Sequence, residues 1–202
     1  TTLRTDHMQA LDTDDFAVVD GPLLTKWELR AARLELEMLR QQGELGTVGQ
    51  PSEVRRDEVC WLLSSAGDDV KGNDSSSSEE DVEQDGSQCA GGSRGGLNRA
   101  LSVLRAVAAL LQEHEPTRTL VVPRSCMAAS YGPDGAHYIA HRDNQGNSRS
   151  DRRYFTLVLY LNDPDWDADR DGGALRAYVG ADSTDDEGHS AKKIVDVCPK
   201  GE

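Results

Sequence analysis

One residue separates His141 from Asp143 in the stretch Tyr138-Ile-Ala-His141-Arg-Asp143-Asn144, and strand-forming residues lie on both sides of it. On a strand, side chains i and i+2 project to the same side. An imidazole nitrogen and a carboxylate oxygen would then converge on one point, as neighbouring ligands of a divalent metal do. A second His from elsewhere would complete a 2-His-1-carboxylate face, whose open positions suit non-haem Fe(II) chemistry. The pair alone is a weak signal, and its surroundings decide the matter.

The other histidines are poor candidates for the third ligand. His189 lies in Asp185-Asp-Glu-Gly-His-Ser190, a polar loop, and loops fix ligands less well than strands do. His137 follows the turn over residues 132–135 and is expected at a pocket rim, whereas His7 and His114 are expected to be solvated or to cap helices.

The elements that must position these residues follow from the pattern. Residues 16–19 read as a short strand closed by Asp20-Gly-Pro22. Thr25 reads as an N-cap with Glu28 as its capping-box partner, opening a helix to about Gln42 that Gly43 stops. Its core stripe is expected to be Trp27, Ala31, Leu34 and Met38, flanked by Leu39. Residues 59–63 form a strand, and a second amphipathic helix over 97–114 turns Leu101, Leu104, Ala108 and Leu111 inward. From Thr119 onward strands take over, at 120–122, 125–130, 138–140, 154–161, 174–179 and 193–197. Helices first and short strands afterwards predict an α+β fold with helices packed on one face of a β-sandwich.

Composition bounds the function. A chain of 202 residues suits one domain. Residues 64–96, with the run Ser75 to Ser78 and Glu79-Glu-Asp81, are expected to be a disordered acidic insertion, being too polar to offset their ordering entropy. They hold eight acidic and two basic residues, a net −6 of the chain's −14. That balance argues against nucleic acid, whose phosphates need a basic footprint. No run of 18 apolar residues suggests a membrane span. Cys60, Cys89, Cys126 and Cys198 show neither C-x-x-C pairing nor zinc spacing, which favours a reducing compartment, cytoplasmic or nuclear.

The wider motif string is more specific than the H-x-D pair. Tyr131-Gly-Pro-Asp-Gly135 precedes it; Arg153-Tyr-Phe-Thr156-Leu-Val-Leu-Tyr160-Leu-Asn162, Trp166-Asp-Ala and Asp171-Gly-Gly-Ala-Leu-Arg176 follow. Together with Asp15-Phe-Ala-Val-Val-Asp-Gly21 and Arg56-Asp57-Glu-Val-Cys-Trp61, this resembles the 2-oxoglutarate- and Fe(II)-dependent prolyl 4-hydroxylases, most closely the hypoxia-inducible-factor prolyl hydroxylase branch. The resemblance runs over residues 14–202, leaving 1–13 as an N-terminal extension.

It implies a double-stranded β-helix, or distorted jelly roll, with His141 and Asp143 as the iron ligands. It implies that Tyr160 hydrogen-bonds the distal carboxylate of 2-oxoglutarate and that Tyr131 and Tyr138 line the same pocket, Tyr131 nearer the metal. Buried tyrosines also pack sheets and need only one hydroxyl partner, so the motif carries these roles, not burial. Ascorbate is implied as reductant, and a proline-containing peptide or protein as substrate, hydroxylated as 2-oxoglutarate becomes succinate and CO2. In the family, a final strand pair bears the distal His ligand and the basic residue that binds 2-oxoglutarate; the chain ends at Glu202, before their expected place. The expectation is therefore a jelly roll without its last strands and weak metal binding by the 202 residues. The alternatives are an inactive dioxygenase-like binding module and a hydroxylase of a non-prolyl substrate.

Overall fold

Thr25 and Glu28 open the long N-terminal helix as a reciprocal cap: the Thr25 N–H donates to Glu28 Oε2 at 2.7 Å, and the Glu28 N–H donates to Thr25 Oγ1 at 3.2 Å. The computed structural model describes residues 3–63, 88–89, 95–144, 152–179 and 193–201. In chain order these form α1 (Thr5–Asp14), α2 (Lys26–Gln41), β1 (Glu58–Leu63), β2 (Gln88–Cys89), α3 (Gly95–His114), β3 (Ser125–Ser130), α4 (Ala168–Asp171), β4 (Leu175–Val179) and β5 (Lys193–Val197). Among the described residues no helix is long and apolar enough to cross a membrane. The insertion expected to be disordered, 64–96, falls largely outside the described residues, as does His189.

The chain divides into two compact units. Thr1–Leu34, Gly95–Val122 and Ala140–Glu202 make the first; Glu35–Arg94 and Pro123–Ile139 make the second. The core of the first is Leu24, Leu29, Ala100 and Val103, with Leu23, Leu159 and Leu161 packed against it. Gly96, at the start of α3, sits so close to α2 that a Cβ there would lie 2.3 Å from the Ala32 nitrogen. Only glycine permits that approach. In the same unit β4 and β5 pair antiparallel, with Arg176 opposite Asp196. Their side chains meet as a bidentate pair at 2.8 Å for both bonds, so Arg176 ties the hairpin together.

In the second unit, β1 is the middle strand of a sheet ordered β2-β1-β3, parallel to β2 and antiparallel to β3. Val59 and Cys60 are fully buried there. The register pairs Glu58 with Ser130, which brings the residue before β1, Asp57, level with the residue after β3, Tyr131.

The N-terminal extension, 1–13, contains most of α1, whose first turn is held where the Arg4 N–H donates to His7 Nδ1 at 3.1 Å. Several expectations need correction. The stripe of α2 is rotated: Trp27 is 78% exposed and Leu34 and Met38 are exposed too, while Leu29, Ala32 and Leu39 are buried. The buried residues stand three and seven apart, also a helical repeat, and periodicity cannot say which set meets a partner. In α3 the buried face is Leu97, Ala100, Val103, Val107 and Leu111, of which only Leu111 belonged to the expected stripe.

Residues 16–19, 120–122 and 154–161 carry no strand, and 138–140 contributes only a bridge between Tyr138 and Arg55. A strand exists only through a hydrogen-bonded neighbour, and these segments have no ladder among the described residues. Residues 154–159 nonetheless alternate exposed and half-buried. The described fold is thus mixed, with small sheets; the β-sandwich expected from the strand pattern is not displayed by it.

Candidate functional site

His141 and Asp143 lie in the first unit, on irregular backbone rather than the expected strand. Their side chains still converge, with His141 Nε2 3.3 Å from Asp143 Oδ1. Two ligands held at about 2.1 Å from one ion and at right angles lie about 3 Å apart, so this edge fits two adjacent positions of a facial metal site. The side chains are partly open to solvent, at 37% and 33%. Among the described residues no group of three His, Cys, Asp or Glu could hold a metal.

Segment 152–161 supports the aspartate. Thr156 Oγ1 donates to Asp143 Oδ2 at 2.6 Å, and Arg153 Nη1 stands 3.7 Å from Oδ1. Asn144 Nδ2 donates to the Arg153 carbonyl at 2.8 Å, tying the two segments together just beyond the aspartate. Tyr160 lies on the same segment, and burial pushes its phenol above the ordinary value. Sequence reading had named Thr156 and Asn144 only as letters of a motif. The signal available was their polarity beside the H-x-D pair, but that Thr156 would serve a carboxylate oxygen and Asn144 a backbone carbonyl is a matter of tertiary placement.

Tyr131 and Tyr138 belong to the second unit, where they surround a buried ion pair that sequence reading missed. Arg55 donates from Nε to Asp57 Oδ1 at 2.5 Å and from Nη2 to Oδ2 at 2.7 Å, with side-chain exposures of only 8% and 0%. The guanidinium lies 4.6 Å from the centre of the Tyr138 ring, a cation–π contact, and Nη2 also reaches Met127 Sδ at 3.3 Å. Tyr131 is half exposed. Desolvation and then the negative charge of Asp57, partly offset by Arg55, push its phenol up to about 12. At neutral pH it is a protonated hydroxyl.

The other described histidines are engaged elsewhere. His137 places its ring nitrogens 3.0 Å from the Gly135 carbonyl and 3.3 Å from that of Glu53, while His114 Nε2 meets Asp12 Oδ1 at 2.9 Å. Gly172 and Gly173 both have φ of 76°, where glycine is favoured, and the Gly172 carbonyl accepts from Trp166 Nε1 at 3.0 Å.

Comparison with known families fits this geometry. Residues 126–201 match the family model described as the 2OG-Fe(II) oxygenase superfamily. The match supports membership of that superfamily. It spans His141, Asp143, Thr156, Tyr131, Tyr138 and Tyr160, and it supports a dioxygenase-type enzyme using Fe(II) and 2-oxoglutarate. No curated protein and no solved structure matches the chain.

Proposed function

We propose that the protein is a 2-oxoglutarate- and Fe(II)-dependent dioxygenase that hydroxylates a prolyl residue of a peptide or protein, with ascorbate as reductant, on a jelly-roll oxygenase domain. The observation that carries this reading is the convergence of His141 Nε2 and Asp143 Oδ1 at 3.3 Å inside the matched segment. Iron bound there would supply oxidative decarboxylation of 2-oxoglutarate coupled to hydroxylation. The chain's own share is positional. His141 and Asp143 offer adjacent donors, Thr156 occupies the second carboxylate oxygen, and the Tyr160 phenol is available as a donor to the cosubstrate's carboxylate. The prolyl assignment rests on the string from Tyr131 through His141-Arg-Asp143 and Tyr160 to Gly172-Gly173.

Incubation with Fe(II), ascorbate, 2-oxoglutarate and a set of proline-containing peptides is expected to add about one oxygen mass to a proline, read by mass spectrometry, and to form succinate. His141→Ala should abolish both. Oxygen added only to other side chains or to small molecules would remove the prolyl assignment and leave the dioxygenase one. No turnover of any substrate by a metal-loaded protein would favour a binding role.

A further inference from the structure

We propose that Thr156 is a positioning residue for the metal edge: its hydroxyl engages one oxygen of Asp143 and so commits the other to the ion. This deepens the reading of His141 and Asp143 as ligands and rests on it. A carboxylate that binds an ion through one oxygen leaves the other with lone pairs to satisfy, and a ligand whose second oxygen is held cannot rotate away from the site. Asp143 shows that division of labour. Oδ2 accepts the Thr156 hydroxyl at 2.6 Å, within the short range of charge-assisted O–H···O bonds, while Oδ1 faces His141 Nε2 at 3.3 Å. Arg153, the other polar group near the carboxylate, stands off at 3.7 Å on the Oδ1 side, where it competes with a cation and does not fix the plane of the group. Among the described residues, the Thr156 hydroxyl holds the oxygen turned away from His141.

The backbone is arranged to keep the hydroxyl there. Burial alternates along 154–159, so Thr156 shares the exposed face while Phe155 and Leu157 turn inward. The Asn144 amide bond to the Arg153 carbonyl, at 2.8 Å, fixes the offset between the two segments that this pairing requires. Because Thr156 is exposed, removing its hydroxyl should alter little besides the aspartate's orientation.

The test titrates the purified protein with Mn(II) alone, counting free ion by electron paramagnetic resonance, in wild type, His141→Ala, Thr156→Val and Thr156→Ser. Thermal midpoints are measured alongside. Thr156→Val is expected to weaken Mn(II) binding by about 10–100-fold, the usual effect of losing an outer-shell partner. Thr156→Ser should retain wild-type affinity, and the midpoint of Thr156→Val should stay near wild type. Equal affinity in wild type and Thr156→Val would overturn the positioning role, as would a Thr156→Ser as weak as the valine variant. Wild-type binding no tighter than that of His141→Ala would instead show that the metal reading has failed, and the proposal with it.

Discussion

The two units each pair a carboxylate with a basic group and a hydroxyl, and they bury them oppositely. In the second unit Asp57 and Arg55 are sealed, with side-chain exposures of 0% and 8%, and their bidentate bonds leave Tyr131 and Tyr138 at the rim. In the first unit Asp143 and His141 remain 33% and 37% open, and the groups around them, Thr156 and Arg153, lie at the surface. Burial makes the Arg55–Asp57 pair indispensable once formed, because neither charge can be left alone in a medium that does not solvate it. Openness makes Asp143 and His141 exchangeable, since water can stand in for any partner they lose. A group that must trade partners, as a metal ligand does, belongs in the second setting.

The hardest test of that contrast removes Asp57. Asp57→Ala strands the Arg55 guanidinium and should cost about 3–5 kcal/mol, a fall in thermal midpoint on the order of 10 °C. Replacing both partners, Arg55→Met with Asp57→Leu, should recover much of the loss, because the penalty lies in the orphaned charge. A single variant that melts with wild type would show the pair to be less buried than its exposures indicate, and the comparison would collapse.

How far the sequence disclosed this depended on the range of the interactions. The Thr25–Glu28 cap is local, three residues apart, and was read directly. So were β1, β4 and β5, whose residues carry β-formers between turn signals, and β3, placed between turn signals without them. The helix α1 was not legible, and its contacts are distant: Lys193 Nζ meets Asp14 Oδ2 at 3.1 Å and His114 meets Asp12, 179 and 102 residues away. At the site, the two metal-type side chains were legible from an i, i+2 spacing, although the strand assumed for them is absent. Thr156 was not legible as a partner, since it lies 13 positions beyond Asp143 and no pattern marks which hydroxyl turns back. Arg55 was not either, because an Arg two residues before an Asp is more often exposed than sealed.

A smaller effect on stability, with a large one on binding, is expected at the open site. Asp143→Ala should change unfolding free energy by no more than about 1 kcal/mol, since its ion pairs are partly exposed. His141→Ala should behave alike, and both should lose Mn(II) binding as read by calorimetry. If either variant instead melted as early as Asp57→Ala, the first unit would be using the pair as a structural clasp.

The finest discrimination is between two tyrosines raised by different causes. Tyr160, in the first unit, is raised by burial, whereas Tyr131 owes part of its rise, to about 12, to the Asp57 charge. The sign follows from proton binding. Above pH 10 the unfolded Tyr131 phenol has lost its proton while the folded one keeps it, so the folded state binds more protons and stability falls as pH climbs from about 10 to about 12. Tyr131→Phe should flatten the unfolding curve in that window. Phenolate absorbance of the five tyrosines should show late steps from both residues, and Asp57→Asn, studied where it remains folded, should shift only the Tyr131 step downward. If the Tyr131 step stayed in place, burial alone would govern both phenols, and the electrostatic difference between the two units would reduce to one of exposure.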